Sequence, residues 1–318
     1  MDTTNKGVVA LGHALMDMTG KSYSSSWGLW ETWKTPSHVN PEEAEAFLGN
    51  LAQSGILEPP GLVSRPGGSA INVAAACKDI GLSAVAVACV GNDSRGKEIS
   101  DSLRLQGIPL LGGTSDRPTG VFISVYRGSN PIMPIAPLVV VSPGAARAIR
   151  GFEALDSFLT SGWLLHIDGL LVDELPWLVR IAEKARAKDI PVSIDASTVF
   201  IAKNYGDALV DFACSYCEYL FVNEQEYSKL LPHHAEKLIA GDCALVVKLG
   251  SRGARLISRH ITTETGTEPL DLPLDLGAGD AFAAGFLKAS LDGASPQELL
   301  RSGNTAALAY LRKLNRRG

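Results

Sequence analysis

Residues 272–286 read LPLDLGAGDAFAAGF. Three small residues, Gly277, Ala278 and Gly279, lead into Asp280, and an apolar helical pattern starts at once. Small residues ahead of a helix leave backbone N–H groups unshielded, and the helix dipole adds partial positive charge there. Such a nest holds an anion, or charge developing on a transferring phosphoryl group, with no lysine beside it in the sequence. A carboxylate in the same nest can take the proton from a hydroxyl nucleophile. The same residues also suit a tight turn followed by an ordinary first-turn carboxylate. The rest of the chain decides between the two.

Outward from that helix, short β-rich apolar runs alternate with helical patterns. Strands are predicted at 8–11, 84–90, 121–126, 163–167, 191–195, 219–222 and 243–248. Helices are predicted at 69–80, 94–106, 174–188, 224–231, 280–291 and 296–314. The alternation predicts an α/β fold, a three-layer α/β/α sandwich with a mostly parallel central sheet. Ligands of such sheets bind beyond the carboxyl ends of the strands. Two regions break the rhythm. Residues 19–60 are polar, with a helical piece at 41–51 and with Trp27, Trp30 and Trp33; residues 114–141 hold the strand VFISVY among prolines. Both read as a small β-rich lid, contributed by about 18–63 and 114–141, on a single domain spanning 1–318. The tryptophans suit lid packing, cover for a nucleoside base, or a homodimer contact through the lid.

The bulk numbers narrow the function. The chain has 318 residues, 46% apolar and 20% charged, with a net charge of −5. No broad nucleic-acid surface is expected, because that needs a basic excess. No apolar run approaches the roughly 20 residues of a membrane span. The opening MDTTNKGVVA does not read as a signal peptide, and five scattered cysteines fit a reducing cytoplasm. Cys214 and Cys217 form an isolated CxxC without a second pair, which reads as reduced cysteines on a helix.

One stretch imitates a nucleotide site. Residues 91–98, GNDSRGKE, follow a strand and match the phosphate-binding pattern GxxxxGK[ST] except at the end, where Glu98 replaces the magnesium-binding hydroxyl. A carboxylate there would face phosphate oxygens. Asn92 and Asp93 read better as the start of a turn, and Lys97 as a solvated helix residue. Residues 248–253, KLGSRG, lack the third glycine of a dinucleotide fingerprint and do not support a nicotinamide cofactor.

GAGDAF resembles the C-terminal signature of the ribokinase-like (PfkB-type) family of sugar and nucleoside kinases. Its companions occur in the family's order over nearly the whole chain: GHALMD at 12–17, PGGSAIN at 66–72, RPTG at 117–120, NEQE at 223–226, KLGSRG at 248–253 and GNTAA at 303–307. The resemblance implies an ATP-dependent kinase acting on a primary hydroxyl. Asp280 would be the general base, and Gly277, Ala278 and Gly279 the phosphoryl nest. Asp17, Gly67, Gly68 and Asn72 would hold the sugar or nucleoside. Lys248, Gly250, Gly253 and Asn304 would approach ATP, and Asn223 with Glu226 would order Mg2+ through its waters.

The residues themselves agree with these roles. Asp17 follows a strand, where a carboxylate can accept from both hydroxyls of a vicinal diol. Gly67 and Gly68 permit close backbone approach, and if Ser69 caps the next helix, Asn72 lies in its first turn. Asn223 and Glu226 share one helical face and also fit a merely solvated one. GGSAIN is nearer adenosine-kinase-like and related bacterial sugar kinases than ribokinase itself. The family's signature begins with an aspartate at the position of Leu274, and here Asp275 falls one residue later. That aspartate helps relatives hold a monovalent cation, so the resemblance does not extend to potassium dependence. Two other classes stand beside the kinase: a P-loop-type NTPase using residues 91–97, and a non-catalytic sugar- or nucleoside-binding protein on the same fold.

Overall fold

The computed structural model describes residues 6–22, 37–127, 138–149, 153–270 and 276–315. Trp27, Trp30, Trp33, Leu274 and Asp275 lie outside these, and so do parts of both lid segments.

Among the described residues the main sheet has nine strands. Their order is Thr262–Thr265, Ala254–Ile257, Ala244–Lys248, Tyr219–Asn223, Val192–Asp195, Trp163–Asp168, Gly7–Leu11, Ser83–Val87, Leu110–Leu111. Pairing is parallel throughout except at the edge, where Ala254–Ile257 runs antiparallel to both its neighbours. From Gly7–Leu11 the chain first builds outward through Ser83–Val87, then returns to Trp163–Asp168 and builds the other way. The reversal puts a topological switch point between Gly7–Leu11 and Trp163–Asp168, where such sheets open a ligand crevice.

Alternate side chains of Gly7–Leu11 serve the two faces of the sheet. Val8 and Ala10 join a core with Ile71, Phe282 and Phe286, while Val9 and Leu11 join one with Ile181, Val210 and Leu230. The result is the α/β/α sandwich the alternation predicts. One helix matters most for function. Ala278–Leu291 lies over Tyr219–Asn223, held by Phe286 edge-on to Phe221 with centroids 5.1 Å apart and to Tyr219 at 4.9 Å. Each such pair adds about 0.5–1.5 kcal/mol beyond its buried area. Phe282 also meets Phe221 edge-on, so the first turn of the helix is seated by the residues just after Asp280.

A second sheet has five strands in the order Ser37–His38, Leu138–Gly144, Thr119–Arg127, Leu15–Ser22, Val63–Gly67. It does not stand free: Met16, Ile123, Val125 and Val140 belong to the same core cluster as Phe282.

Several expectations need correction. Asp17 does not follow a strand of the main sheet; it lies within Leu15–Ser22, a strand of the small sheet. Its sequence LMDMTGKS is too polar to announce a strand, yet Met16 and Met18 point together into the core. The helix predicted to stop at 231 runs from Glu224 to Ala240, through Pro232. A proline inside a helix costs about 3 kcal/mol, but Leu230 before it and Leu238 after it are both buried in one cluster, which favours continuity. Two helices, Val199–Asn204 and Gly206–Tyr216, fill a stretch the sequence reading left without elements apart from the CxxC. Cys214 ends up on the second of them and Cys217 at its C-cap; both are free thiols.

Candidate active site

The signature helix begins as its residue types require. Gly277 is the N-cap at φ 89°, a left-handed conformation that side chains disfavour, and a Cβ there would sit 2.5 Å from the Tyr310 hydroxyl. Helical bonding starts with Ala281 N–H donating to the Gly277 carbonyl at 3.0 Å. The amides ahead of it are left for a ligand, with the positive end of the helix behind them. Among the described residues no side chain caps this terminus.

Asp280 stands in that first turn. Asn72 Nδ2 donates to its Oδ2 at 3.0 Å, across 208 positions of sequence. The carboxylate keeps some solvent access, but the protein crowded around it pushes its pKa up to about 7. Asp195 adds to the rise, while Lys248 and the Asn72 hydrogen bond oppose it. A carboxyl poised there suits a proton acceptor working near neutral pH.

The acceptor-side residues converge on the same turn. Gly68, not Ser69, is the N-cap of the helix Ser69–Asp79, at φ 87° and with no side-chain cap. A Cβ on Gly68 would lie 2.5 Å from the His13 carbonyl, and one on Gly67 would fall onto the Asp17 carboxylate. The turn linking Gly7–Leu11 to the small sheet is therefore packed directly against the glycine pair. Asp168 fixes that turn from below: His13 Nδ1 lies 3.0 Å from its Oδ2, and Ser197 Oγ donates to its Oδ1 at 2.6 Å. Asp17 is only 2% exposed, and its Oδ2 accepts no hydrogen bond among the described residues. Burial pushes its pKa up to about 7, against the pull of Arg65 and of the Gly68 backbone amide. A buried carboxylate oxygen without a donor costs free energy until a hydroxyl fills it.

On the other side lies a cavity of about 310 Å³ lined by Lys248, Gly250, Gly253, Asn304, Ala278 and Gly279, among others. All four residues expected near ATP meet the nest here. Asn304 Nδ2 donates to the Thr265 and Gly266 carbonyls at 3.1 and 3.2 Å, so its side chain braces the cavity wall.

Lys248 alters the picture of a nest without a lysine. It comes from the end of Ala244–Lys248, far away in sequence, and its Nζ would be 3.3 Å from a Cβ built on Gly279. Its ammonium donates to Asp195 Oδ2. Burial works to lower the Lys248 pKa, yet Asp195 and Glu226, with Asp280 behind them, hold it above its ordinary value. Sequence reading missed Asp195 altogether. One signal could have found it: the strands predicted at 163–167, 191–195, 219–222 and 243–248 end in or run into Asp168, Asp195, Asn223 and Lys248, where the sheet opens its crevice.

Asn223 and Glu226 do not share a solvated helix face. They form a capping box: Glu226 N–H donates to Asn223 Oδ1 at 2.9 Å, while Asn223 N–H and Nδ2 donate to the two Glu226 oxygens, each at 2.8 Å. Glu226 is 2% exposed; burial and Asp195 raise its pKa, and Lys248 and Asn223 oppose this. Among the described residues no three His, Cys, Asp or Glu side chains cluster as a metal site. Both Glu226 oxygens are already engaged by Asn223, so direct ligation of magnesium does not fit this pair.

The P-loop look-alike is closed off. Asp93 caps the helix Ser94–Leu105, its Oδ1 accepting from Gly96 N–H at 2.8 Å and from Thr119 Oγ1 at 2.6 Å. Its own carboxylate fills the place a phosphate would need. Lys97 pairs with Asp101 on the surface, its side chain 77% exposed.

The signature helix thus opens on uncapped amides beside a carboxylate and a buried lysine, near the ends of parallel strands, an arrangement suited to phosphoryl transfer. The chain belongs to the PfkB family: residues 39–316 match the family described as pfkB family carbohydrate kinase. It is 26% identical over 282 residues to an ATP-dependent ribose-1-phosphate kinase of Halopiger xanaduensis, covering 86% of each chain. It is 27% identical over 279 residues to a ribokinase of Bacillus subtilis, covering 85% of this chain and 86% of that one. Its fold matches adenosine kinase from Sinorhizobium meliloti with a TM-score of 0.81 at 22% identity, over 96% of this chain and 93% of the other. It is thus a sugar or nucleoside kinase of a family that uses ATP, acting on a hydroxyl group. No helix among the described residues is long and apolar enough to cross a membrane.

Proposed function

We propose that this kinase transfers the γ-phosphoryl group of ATP to the primary hydroxyl of a ribofuranosyl acceptor, a free sugar or a nucleoside, with Asp280 as the general base. The observation that carries the reading is the 3.0 Å hydrogen bond from Asn72 to Asp280. It joins the acceptor-side residues to the carboxylate inside the nest, on the far side of which the Lys248-lined cavity opens. Three of the similar proteins' names share one chemical unit, since ribose, ribose 1-phosphate and adenosine all carry a ribose ring; a fourth, a fructosamine kinase of Bacillus subtilis, does not. The unpartnered Asp17 oxygen suits the vicinal diol of that ring.

In the reaction the acceptor hydroxyl gives its proton to Asp280 as its oxygen bonds to the γ-phosphorus. The bond from that phosphorus to the bridging oxygen breaks, and ADP leaves. Gly277, Ala278 and Gly279 present amides to the transferring group, and Lys248 adds a positive charge beside Gly279. Gly250, Gly253 and Asn304 shape the nucleotide cavity. Asp17, Gly67, Gly68 and Asn72 hold the acceptor. Magnesium, when bound, neutralises charge on the ATP phosphates; Asn223 and Glu226 would hold it through its waters. Closure of the small sheet over the acceptor would exclude water and suppress ATP hydrolysis.

An acceptor panel of ribose, ribose 1-phosphate and adenosine beside the ribose-free fructose and fructosamine, with ATP and magnesium and with or without potassium, tests this. Turnover confined to ribose-bearing acceptors is expected. Preference for an acceptor without a ribose ring would contradict the ribofuranosyl reading, and no turnover with any acceptor would favour a binding protein.

A further inference from the structure

We propose that Arg65 is a positioning residue of the transfer reaction, coupling the acceptor carboxylate to the phosphate nest. The inference rests on the kinase reading above. Arg65 and Asp17 are directly paired across the antiparallel strands Val63–Gly67 and Leu15–Ser22. The Arg65 Nε lies 3.9 Å from Asp17 Oδ2, while its Nη2 donates to the Leu276 carbonyl at 3.0 Å. The Tyr310 hydroxyl donates to that same carbonyl at 3.0 Å.

That carbonyl is not an arbitrary anchor. It belongs to the peptide unit whose N–H is the amide of Gly277, the first residue of the nest. In a planar trans peptide the C=O and N–H point in opposite directions. Holding the carbonyl on one side therefore aims the first nest amide toward the other. Gly277 sits in a left-handed conformation with no side-chain cap among the described residues. Arg65 and Tyr310 hold this peptide unit by its carbonyl.

The same guanidinium acts at its other edge on Asp17. It opposes the burial that raises the Asp17 pKa and so favours the ionised form that accepts from hydroxyls. The charged and titratable groups facing this corner are Arg65 on the neighbouring strand, Tyr310 from the last helix and Asp280 from the signature helix. Arg65 belongs to the small sheet and Leu276 to the signature loop, 211 positions apart. An acceptor that seats on Asp17 thereby steadies the loop that must receive the phosphoryl group. The planar fork of arginine reaches both partners at once; the single ammonium of lysine reaches one.

The test uses Arg65→Gln and Arg65→Lys in the full chain, read by amide hydrogen exchange across residues 276–281 and by steady-state kinetics. Arg65→Gln is expected to speed exchange at the nest and to lower kcat by about tenfold or more, as loss of a charged hydrogen bond does. The acid limb of kcat/KM for the acceptor should move to higher pH in Arg65→Gln and stay in place in Arg65→Lys. Arg65→Lys should still lose kcat, because it keeps the charge without the fork. Thermal unfolding separates these effects from loss of folding, and the lysine variant serves if the glutamine variant is unstable. Unchanged nest exchange and kcat in both variants would overturn the inference. With Asp280→Asn inactive, that outcome would leave the kinase reading standing. Conversely, a fully active Asp280→Asn would remove the reading while the exchange result still reports on the Arg65 contact.

Discussion

Replacing Lys248 by methionine removes the ammonium shared by Asp195, Glu226 and Asp280. Removing one partner of a buried ion pair costs about 3–5 kcal/mol, because the other charge is left behind. The Lys248 and Asp195 side chains are 17% and 7% exposed, so water softens the loss, and the lower end, about 3 kcal/mol, applies. That is a fall in Tm of about 4–6 °C for a chain of this size. Adding Asp195→Asn removes the stranded charge, so the double variant should be more stable than the sum of the single losses by about 1.5–3 kcal/mol. Urea unfolding at constant slope measures this. The kinetic consequence is separate. Lys248 holds the Asp280 pKa down, so its loss should move the acid limb of kcat upward in pH. The missing charge beside Gly279 should lower kcat by about 10²–10³-fold. Additive stability losses together with an unmoved acid limb would refute the reasoning.

Other consequences follow from the same geometry. Gly67→Ala would drive a methyl group into the Asp17 carboxylate; KM for the acceptor should rise about tenfold or more while KM for ATP stays nearly constant. The pH dependence has two opposite signs. Activity should fall as pH drops through about 7, because Asp280 and Asp17 must both be ionised to act, a dependence kcat/KM for the acceptor would report. Stability should move the other way. Both carboxyls are raised in the folded chain, so their stabilising contribution is complete below the ordinary carboxylate range and is lost as pH rises through about 7. Urea midpoints on either side of neutrality check it.

Much of this was legible in the sequence because the functional elements obey strong local rules. The Gly-Ala-Gly-Asp run ahead of an apolar helix can be read as a nest, and the strand–helix alternation places it on a parallel sheet. What stayed hidden depends on contacts between distant segments. Leu15–Ser22 is a polar strand whose partners lie at Val63–Gly67 and Thr119–Arg127, so no local periodicity revealed that Asp17 sits in the small sheet. The reach of Lys248 to Gly279 depends on two strand ends meeting one helix terminus. Arg65 lies just before the recognised glycine pair but acquires meaning only where Leu276 comes within 3.0 Å. The helix from Glu224 continues past Pro232 because leucines are buried on both sides of it, a tertiary effect that no local pattern displays. The capping box at Asn223 and Glu226 shows the reverse: a spacing read for its chemistry also serves to begin a helix.

The central claim is that Asp280 in its nest, not the loop at residues 91–97, carries the transfer. Steady-state turnover of Asp280→Asn and Lys97→Ala, with ATP and the best acceptor, tests it most directly. Asp280→Asn should lower kcat by about 10²–10⁴-fold while both substrates still bind, and Lys97→Ala, on its exposed helix face, should match the unaltered protein. An active Asp280→Asn beside an inactive Lys97→Ala would contradict the account.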